Sequence, residues 1–272
     1  MRASEPQVRA FFAKLYGTWG HQHWWPAESA FEVIVGAFLT QNTAWTNVER
    51  AIANLRAAEV LSLDGIRLIT IGELEQLIRS SGYFRQKAQR LKAFVAYLDA
   101  NYGGSLDRMF SEPTAKLREE LLALNGVGPE TADSILLYAG QHEVFPVDAY
   151  TRRILERHRM LPKSGRYEDI RQLFESAFTV AFAREALVPP EPKSAHKPAG
   201  AHHAPSPAST AARSERAQVF NEMHGLIVGV GKNYCQARRA LCDECPLAAF
   251  LDKPVRLPKP ARLAKKTQKS RK

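Results

Sequence analysis

One stretch constrains this 272-residue chain more than any other: LNGVGPETADSILLYAG at 124–140, followed by PVDAY at 146–150. Leu121, Leu122 and Leu124 end one apolar helical run, and Thr131, Ala132, Ile135, Leu136 and Ala139 begin another with helical spacing. Between them, Asn125-Gly126-Val127-Gly128-Pro129 must turn the chain. Gly126 and Gly128 permit positive φ and the close approach of another backbone. Val127 is the one apolar residue able to plug the gap, and Pro129 suits the first position of the second helix. Such a turn leaves backbone amides and a helix N-terminus facing outward, where an anion is favoured. Taken alone, the stretch fits either a hairpin of helices gripping a phosphate or an ordinary helix corner. The net charge of +10 and pI near 9.6 favour the first, because they imply a polyanionic partner.

The remainder also reads as helix. Phe31, Ile34, Val35 and Phe38 fall at i, i+3, i+4, i+7; Leu74, Leu77 and Ile78 mark a second face; Leu91, Phe94, Val95 and Leu98 mark a third. The segment from Pro113 is expected to close on Gly126. Without convincing alternating strand pairs, the fold class is all-α. No apolar run reaches membrane-spanning length and no signal-peptide core is visible, so a cytoplasmic, nucleoid-associated protein is expected. Residues 188–214, rich in Pro, Ala, Ser and His, read as a flexible linker. The tail at 251–272 holds nine Lys/Arg and three prolines after Asp252 and reads as a disordered basic segment drawn to phosphates.

The hairpin followed by PVDAYTRRIL resembles the signature of the endonuclease III superfamily of DNA glycosylases, over about 25–187 and again over 215–250. The resemblance implies a two-lobed fold with the active-site cleft between lobes. Residues 26–135 would form the lobe carrying the hairpin, and 1–25 plus 136–250 the second. It implies a monomer acting on double-stranded DNA, with Asp148 as the essential carboxylate. Breaking an N-glycosidic bond builds positive charge on the sugar, which a fixed carboxylate stabilises. Asp148 also suits the N-cap of the helix that follows, and the two roles are compatible. The DNA-contacting set implied by the resemblance is Gln41, Gly126, Val127, Gly128 and Thr131, with Gln41 helping to fill the space of a flipped nucleotide.

Glu130 stands where members that also cut the DNA backbone carry Lys. A carboxylate cannot form the Schiff base that a lysine amine forms, so a monofunctional, water-using enzyme is expected. The segment HWWP…LTQNT further resembles the 3-methyladenine glycosylases of the endonuclease III type, in which positions matching Trp24, Trp25, Pro26 and Trp45 line the base pocket and Lys232 lies beside it. Indole faces can stack a flipped base and attract a cationic alkylated purine, although core packing is the competing role for adjacent aromatics. Trp19 is expected to pack on the N-terminal helix. The alternatives are an endonuclease III-like enzyme for oxidised pyrimidines, a mismatch glycosylase, and a DNA-binding hairpin protein without catalysis.

Cys235, Cys242 and Cys245 match the first three ligands of the family's [4Fe–4S] loop, and Leu251 stands at the fourth. Such a cluster generally takes four thiolates. A degenerate loop with weak or absent cluster binding is therefore expected, and a zinc site is a minor option.

Overall fold

In the computed structural model, which describes residues 4–161, 164–187 and 204–251, short polar residues mark where helices begin. Gln7 reaches back to the Ser4 amide (3.2 Å) at the start of α1 (Glu5–Trp19). Ser29 accepts the Glu32 amide (3.1 Å) and opens α2 (Ala30–Thr40). After α3 (Trp45–Ala57), Ser62 caps α4 (Leu63–Leu68), and Thr70 with Glu73 caps α5 (Ile71–Leu77). Caps of this kind each contribute about 1 kcal/mol. Then come α6 (Phe84–Tyr102), α7 (Leu106–Phe110) and α8 (Thr114–Ala123). α9 (Pro129–Ser134) runs directly into a π-helical segment at Ile135–Ala139. The chain continues through α10 (Ala149–Arg157), α11 (Tyr167–Ala177), α12 (Val180–Ala186), α13 (Pro207–Thr210) and α14 (Glu215–Asn233). Among the described residues, extended pairing is limited to one isolated bridge, Cys235 with Ala240. None of the described helices is long and apolar enough to cross a membrane.

Two lobes follow from the packing. In the first, α2 lies against α3, α6 and α9, α6 against α4, α5 and α7, and α8 against α9. In the second, α14 lies against α1, α10 and α12, and α1 against α11. The π-helical segment touches both α2 and α14 and so joins the lobes. Every residue from Phe31 to Leu39 is buried, which makes α2 a central spine. The faces read from periodicity at Phe31, Ile34, Val35 and Phe38, and at Leu91, Phe94, Val95 and Leu98, are all in the core. Each such side chain contributes about 1.5–3 kcal/mol relative to exposure. Lys87 is buried among them. It survives there because its ammonium donates to the carbonyls of Leu39 (2.8 Å) and Ser81 (2.7 Å), and burial lowers its pKa to about 8.

Three details differ from the sequence reading. α8 stops at Ala123, before Gly126, because Leu124 is already extended. Residues 204–214, expected to belong to a flexible linker, instead contain a capped turn docked on the first lobe. Ser206 caps α13, the Ala208 amide donates to the Ala27 carbonyl (3.0 Å), and the Ala27 amide donates to Ser206 Oγ (3.2 Å). Trp19 ends α1 but stacks on Tyr234 at 6.2 Å. Residues 188–203 and the basic tail from 252 onward lie outside the described residues.

Candidate active site

The hairpin between α8 and α9 is built as its glycines require. Gly126 has φ +81, and a Cβ there would lie 1.9 Å from Arg90 Nε, so the guanidinium packs where no other residue leaves room. Val127 is buried as the plug, and its amide donates to the Leu124 carbonyl (3.1 Å). Pro129 takes the first helical position, and Gly128 is exposed ahead of it. Thr131, expected among the DNA contacts, is instead buried, and its hydroxyl accepts from Gln41 Nε2 (2.9 Å). Gln41 does not project from the protein. Nε2 also donates to the Gly126 carbonyl (3.0 Å), and Arg90 donates to Oε1 (2.5 Å). To enter a duplex, Gln41 would first have to leave all three partners.

Asp148 is the N-cap of α10. Its Oδ1 accepts the Thr151 amide (2.6 Å) and the Thr151 hydroxyl (2.8 Å), so one carboxylate oxygen is committed to holding the helix. The other, Oδ2, lies 3.7 Å from Nε2 of buried His224 on α14. The backbone just before Asp148 is fixed from elsewhere: the Val147 amide donates to the Tyr167 hydroxyl (3.1 Å), which donates to Asp133 Oδ2 (2.8 Å). Asp133 is fully buried and accepts a two-pronged pair from Arg118 (2.6 and 3.2 Å). Arg118 also binds Glu168 (2.8 Å). Asp133 and Tyr167 therefore fasten α9 to the segment carrying Asp148, and the Arg118 ion pairs tie α8 to both α9 and α11.

Trp24, Trp25 and Trp45 come together as the sequence suggested, but not as parallel walls. Trp25 meets Trp45 edge-to-face at 5.1 Å, and Trp24 meets Trp25 at 5.6 Å and 64°. Trp24 and Trp25 are only 5% and 6% exposed, and Trp45, at the start of α3, is half-buried. Two glycines admit them: a Cβ on Gly36 would lie 3.1 Å from Trp25 Cζ2, and one on Gly225 would lie 3.0 Å from Trp24 Cβ. The indole N–H groups of Trp25 and Trp45 are buried without an acceptor among the described residues. Pro26 follows in the same loop, half-buried. Lys232 places its ammonium 5.8 Å from the Trp24 ring, and burial lowers its pKa against the opposing pull of Glu49.

Glu130, in the first turn of α9, is open to solvent, yet protein crowds it and Asp148 faces it. Burial first, and the Asp148 charge second, push its carboxyl up to about 7. Two carboxyl groups with different environments therefore share the mouth of the site, which is the usual basis for dividing acid and base roles.

The cysteine loop does not offer four thiolates. Leu251 at the fourth position supplies no ligand atom. In the metal-free loop, burial raises the Cys235 thiol and pushes Cys245 up to about 11. Cys235 Sγ accepts from Arg157 instead (3.0 Å). Among the described residues, no group of three or more His, Cys, Asp or Glu is placed to hold a metal. The residues present do not fit a [4Fe–4S] cluster.

A two-lobed helical fold with a glycine hairpin and a capped aspartate between the lobes defines a DNA glycosylase of the helix-hairpin-helix type. Residues 35–179 match the HhH-GPD superfamily of base excision DNA repair proteins, and the chain belongs to that family. It is 39% identical over 235 residues to "Putative DNA repair glycosylase MJ1434" of Methanocaldococcus jannaschii, spanning 85% of this chain and 90% of that one. It is 24% identical over 223 residues to endonuclease III of Sulfolobus acidocaldarius, spanning 82% and 81%. The solved structure of the H. pylori 3-methyladenine DNA glycosylase MagIII bound to 1,N6-ethenoadenine superposes with a TM-score of 0.65 at 27% identity, covering 85% of this chain and 97% of that one. The protein is thus an enzyme of base excision repair that acts on DNA.

Sequence reasoning missed His224 and Tyr138. The usable signal was the run HGLIVGVG in α14, where a lone His among glycines marks a helix face approached closely by other side chains, Trp24 at Gly225 and Tyr150 at Gly231.

Proposed function

We propose that the enzyme is a monofunctional glycosylase that hydrolyses the bond between deoxyribose and a flipped alkylated purine, with 3-methyladenine as the preferred base. The observation that carries this reading is Asp148 held between Thr151 and His224, beside a tryptophan cluster and with Glu130, not lysine, facing it. A 3-methylated adenine is already cationic and leaves as a neutral base, taking the bonding electrons. Positive charge then develops on the sugar near Asp148, water adds to the anomeric carbon, and its proton passes to solvent. The enzyme mainly selects, exposes and orients the lesion. The base enters by displacing Trp45, the least buried of the three indoles, and stacks against the cluster. The two unpaired indole N–H groups suit the ring-nitrogen acceptors of a purine. The structural likeness to a 3-methyladenine glycosylase supports the same choice.

The hairpin at Gly126–Gly128, with Arg90 over it, grips a backbone phosphate, and Gln41 moves toward the duplex when that phosphate is bound. The enzyme works as a monomer in the cytoplasm at the nucleoid and needs no iron–sulfur cluster, and the basic residues after Asp252 add phosphate contacts. Base release from a panel of alkylated, oxidised and mismatched duplexes tests the substrate. Release of 3-methyladenine ahead of oxidised pyrimidines, without strand scission, is expected. Trp25→Ala and Trp45→Ala should each slow that release by roughly 5- to 150-fold, since a base–aromatic stack is worth about 1–3 kcal/mol. Preference for oxidised pyrimidines, or trapping of a covalent adduct by borohydride, would overturn the reading.

A further inference from the structure

Tyr138 and His224 are buried and converge on the carboxylate proposed to act on the sugar. Tyr138 is in the π-helical segment joining the lobes, and its hydroxyl is 2.5 Å from His224 Nδ1. The other ring nitrogen, Nε2, has no hydrogen-bond partner among the described residues and points at Asp148 Oδ2 from 3.7 Å. Around the imidazole stand the rings of Trp24 (6.4 Å), Tyr138 (5.8 Å) and Phe145 (6.1 Å). Oδ1 of Asp148 already has two donors from Thr151, whereas Oδ2 has none within hydrogen-bond length among the described residues. A movement of about 0.7 Å would close the gap to an ordinary N–H···O distance.

We infer that His224 is a positioning residue for the glycosylase reaction: the Tyr138 hydroxyl donates to Nδ1, which leaves the proton on Nε2, and Nε2–H holds Oδ2 of Asp148 aimed at the sugar. Burial supports this in two ways. It lowers the His224 pKa, so the imidazole is neutral and can accept at one nitrogen while donating at the other. It raises the Tyr138 pKa, so the phenol keeps the proton it donates. Trp24 also interacts with that phenol, so a base entering the aromatic cluster has a physical connection to the orientation of Asp148. A histidine kept only for packing would have no need to point its second nitrogen at a carboxylate.

The inference rests on Asp148 being the acting carboxylate, and the test separates the two. Single-turnover base release and DNA affinity are measured on duplex DNA methylated with dimethyl sulfate. His224→Gln keeps an N–H near the Nε2 position, whereas His224→Asn keeps a polar partner for Tyr138 but cannot reach Asp148. His224→Asn should slow release by about 10- to 100-fold, the range for losing a hydrogen bond to a charged group. Affinity should stay within about 3-fold, and His224→Gln should recover most of the rate. The wild-type ring spectrum, with its His224 signals assigned by their loss in His224→Gln, should show Nε2 protonated and Nδ1 bare. Equal rates for both variants, or a proton on Nδ1, would overturn the inference even if His224→Asn fails to fold. A dead Asp148→Asn beside a full-speed His224→Asn overturns the role of His224 alone. A full-speed Asp148→Asn removes the reading of Asp148 and this inference with it.

Discussion

Arg118→Met should be among the most damaging single changes in the chain, although Arg118 touches no part of the proposed substrate. The substitution leaves the hydrophobic stem and removes the guanidinium from Asp133, whose side chain is fully buried. Removing one partner of a buried pair typically costs about 3–5 kcal/mol, because the remaining charge is uncompensated. At roughly 2–4 °C per kcal/mol, the melting temperature should fall by about 6–20 °C. The sign with pH follows from Asp133. Burial already raises its pKa, and Arg118 opposes that rise. Without Arg118 the folded-state pKa climbs further above the unfolded value. The folded variant then binds a proton that the unfolded chain releases, and its stability falls as pH rises between those two values. The deficit relative to wild type should be smallest near pH 4–5 and largest above neutrality. Adding Asp133→Asn should restore at least half of the loss, since an amide still accepts from Tyr167. Thermal melts of the three proteins at pH 5 and pH 8 provide the measurement. A deficit under about 1 kcal/mol, or one that is the same at both pH values, would refute the buried-charge reasoning.

Glu130 should leave a mark on the rate. With its carboxyl pushed up to about 7, it is neutral below that pH and charged above it, so a second negative charge joins Asp148 only on the alkaline side. Base release should rise through pH 7 in the wild type, and the step should vanish in Glu130→Gln; an unchanged step would assign it to another group. Purified protein should not contain a full complement of four irons per chain, because Leu251 supplies no ligand. Iron analysis of anaerobically prepared protein, with a visible spectrum, checks this, and four irons with four sulfides would point to a ligand outside the described residues.

What could be read from the sequence was local. The periodic faces of α2 and α6 needed only neighbouring residues, as did the corner at Gly126–Pro129 and the cap at Asp148. The features that escaped depend on distant partners. Gln41 meets Thr131 across 90 positions, and Tyr138 meets His224 across 86, so no window of sequence shows either pair. The aromatic cluster was legible as a gathering of tryptophans, but its edge-to-face packing was not, because that depends on the room left by Gly36 and Gly225. Residues 204–214 were misread for a different reason. The Ser206-Pro207 start and Ser209 form a local helix signal, but it was hidden in a stretch whose composition suggested a linker.

The most direct test of the account is single-turnover base release by Asp148→Asn alongside its thermal melt. Asparagine Oδ1 can still accept from Thr151, and Asn and Asp are comparable N-caps, so the melting temperature should change by no more than about 2 °C. What the substitution removes is the charge opposite the developing cation. Losing one preorganised electrostatic group of this kind costs on the order of 100- to 1,000-fold in rate. The account predicts release at least about 100-fold slower from protein that is folded and still binds damaged duplex. Release within about 3-fold of wild type would contradict it.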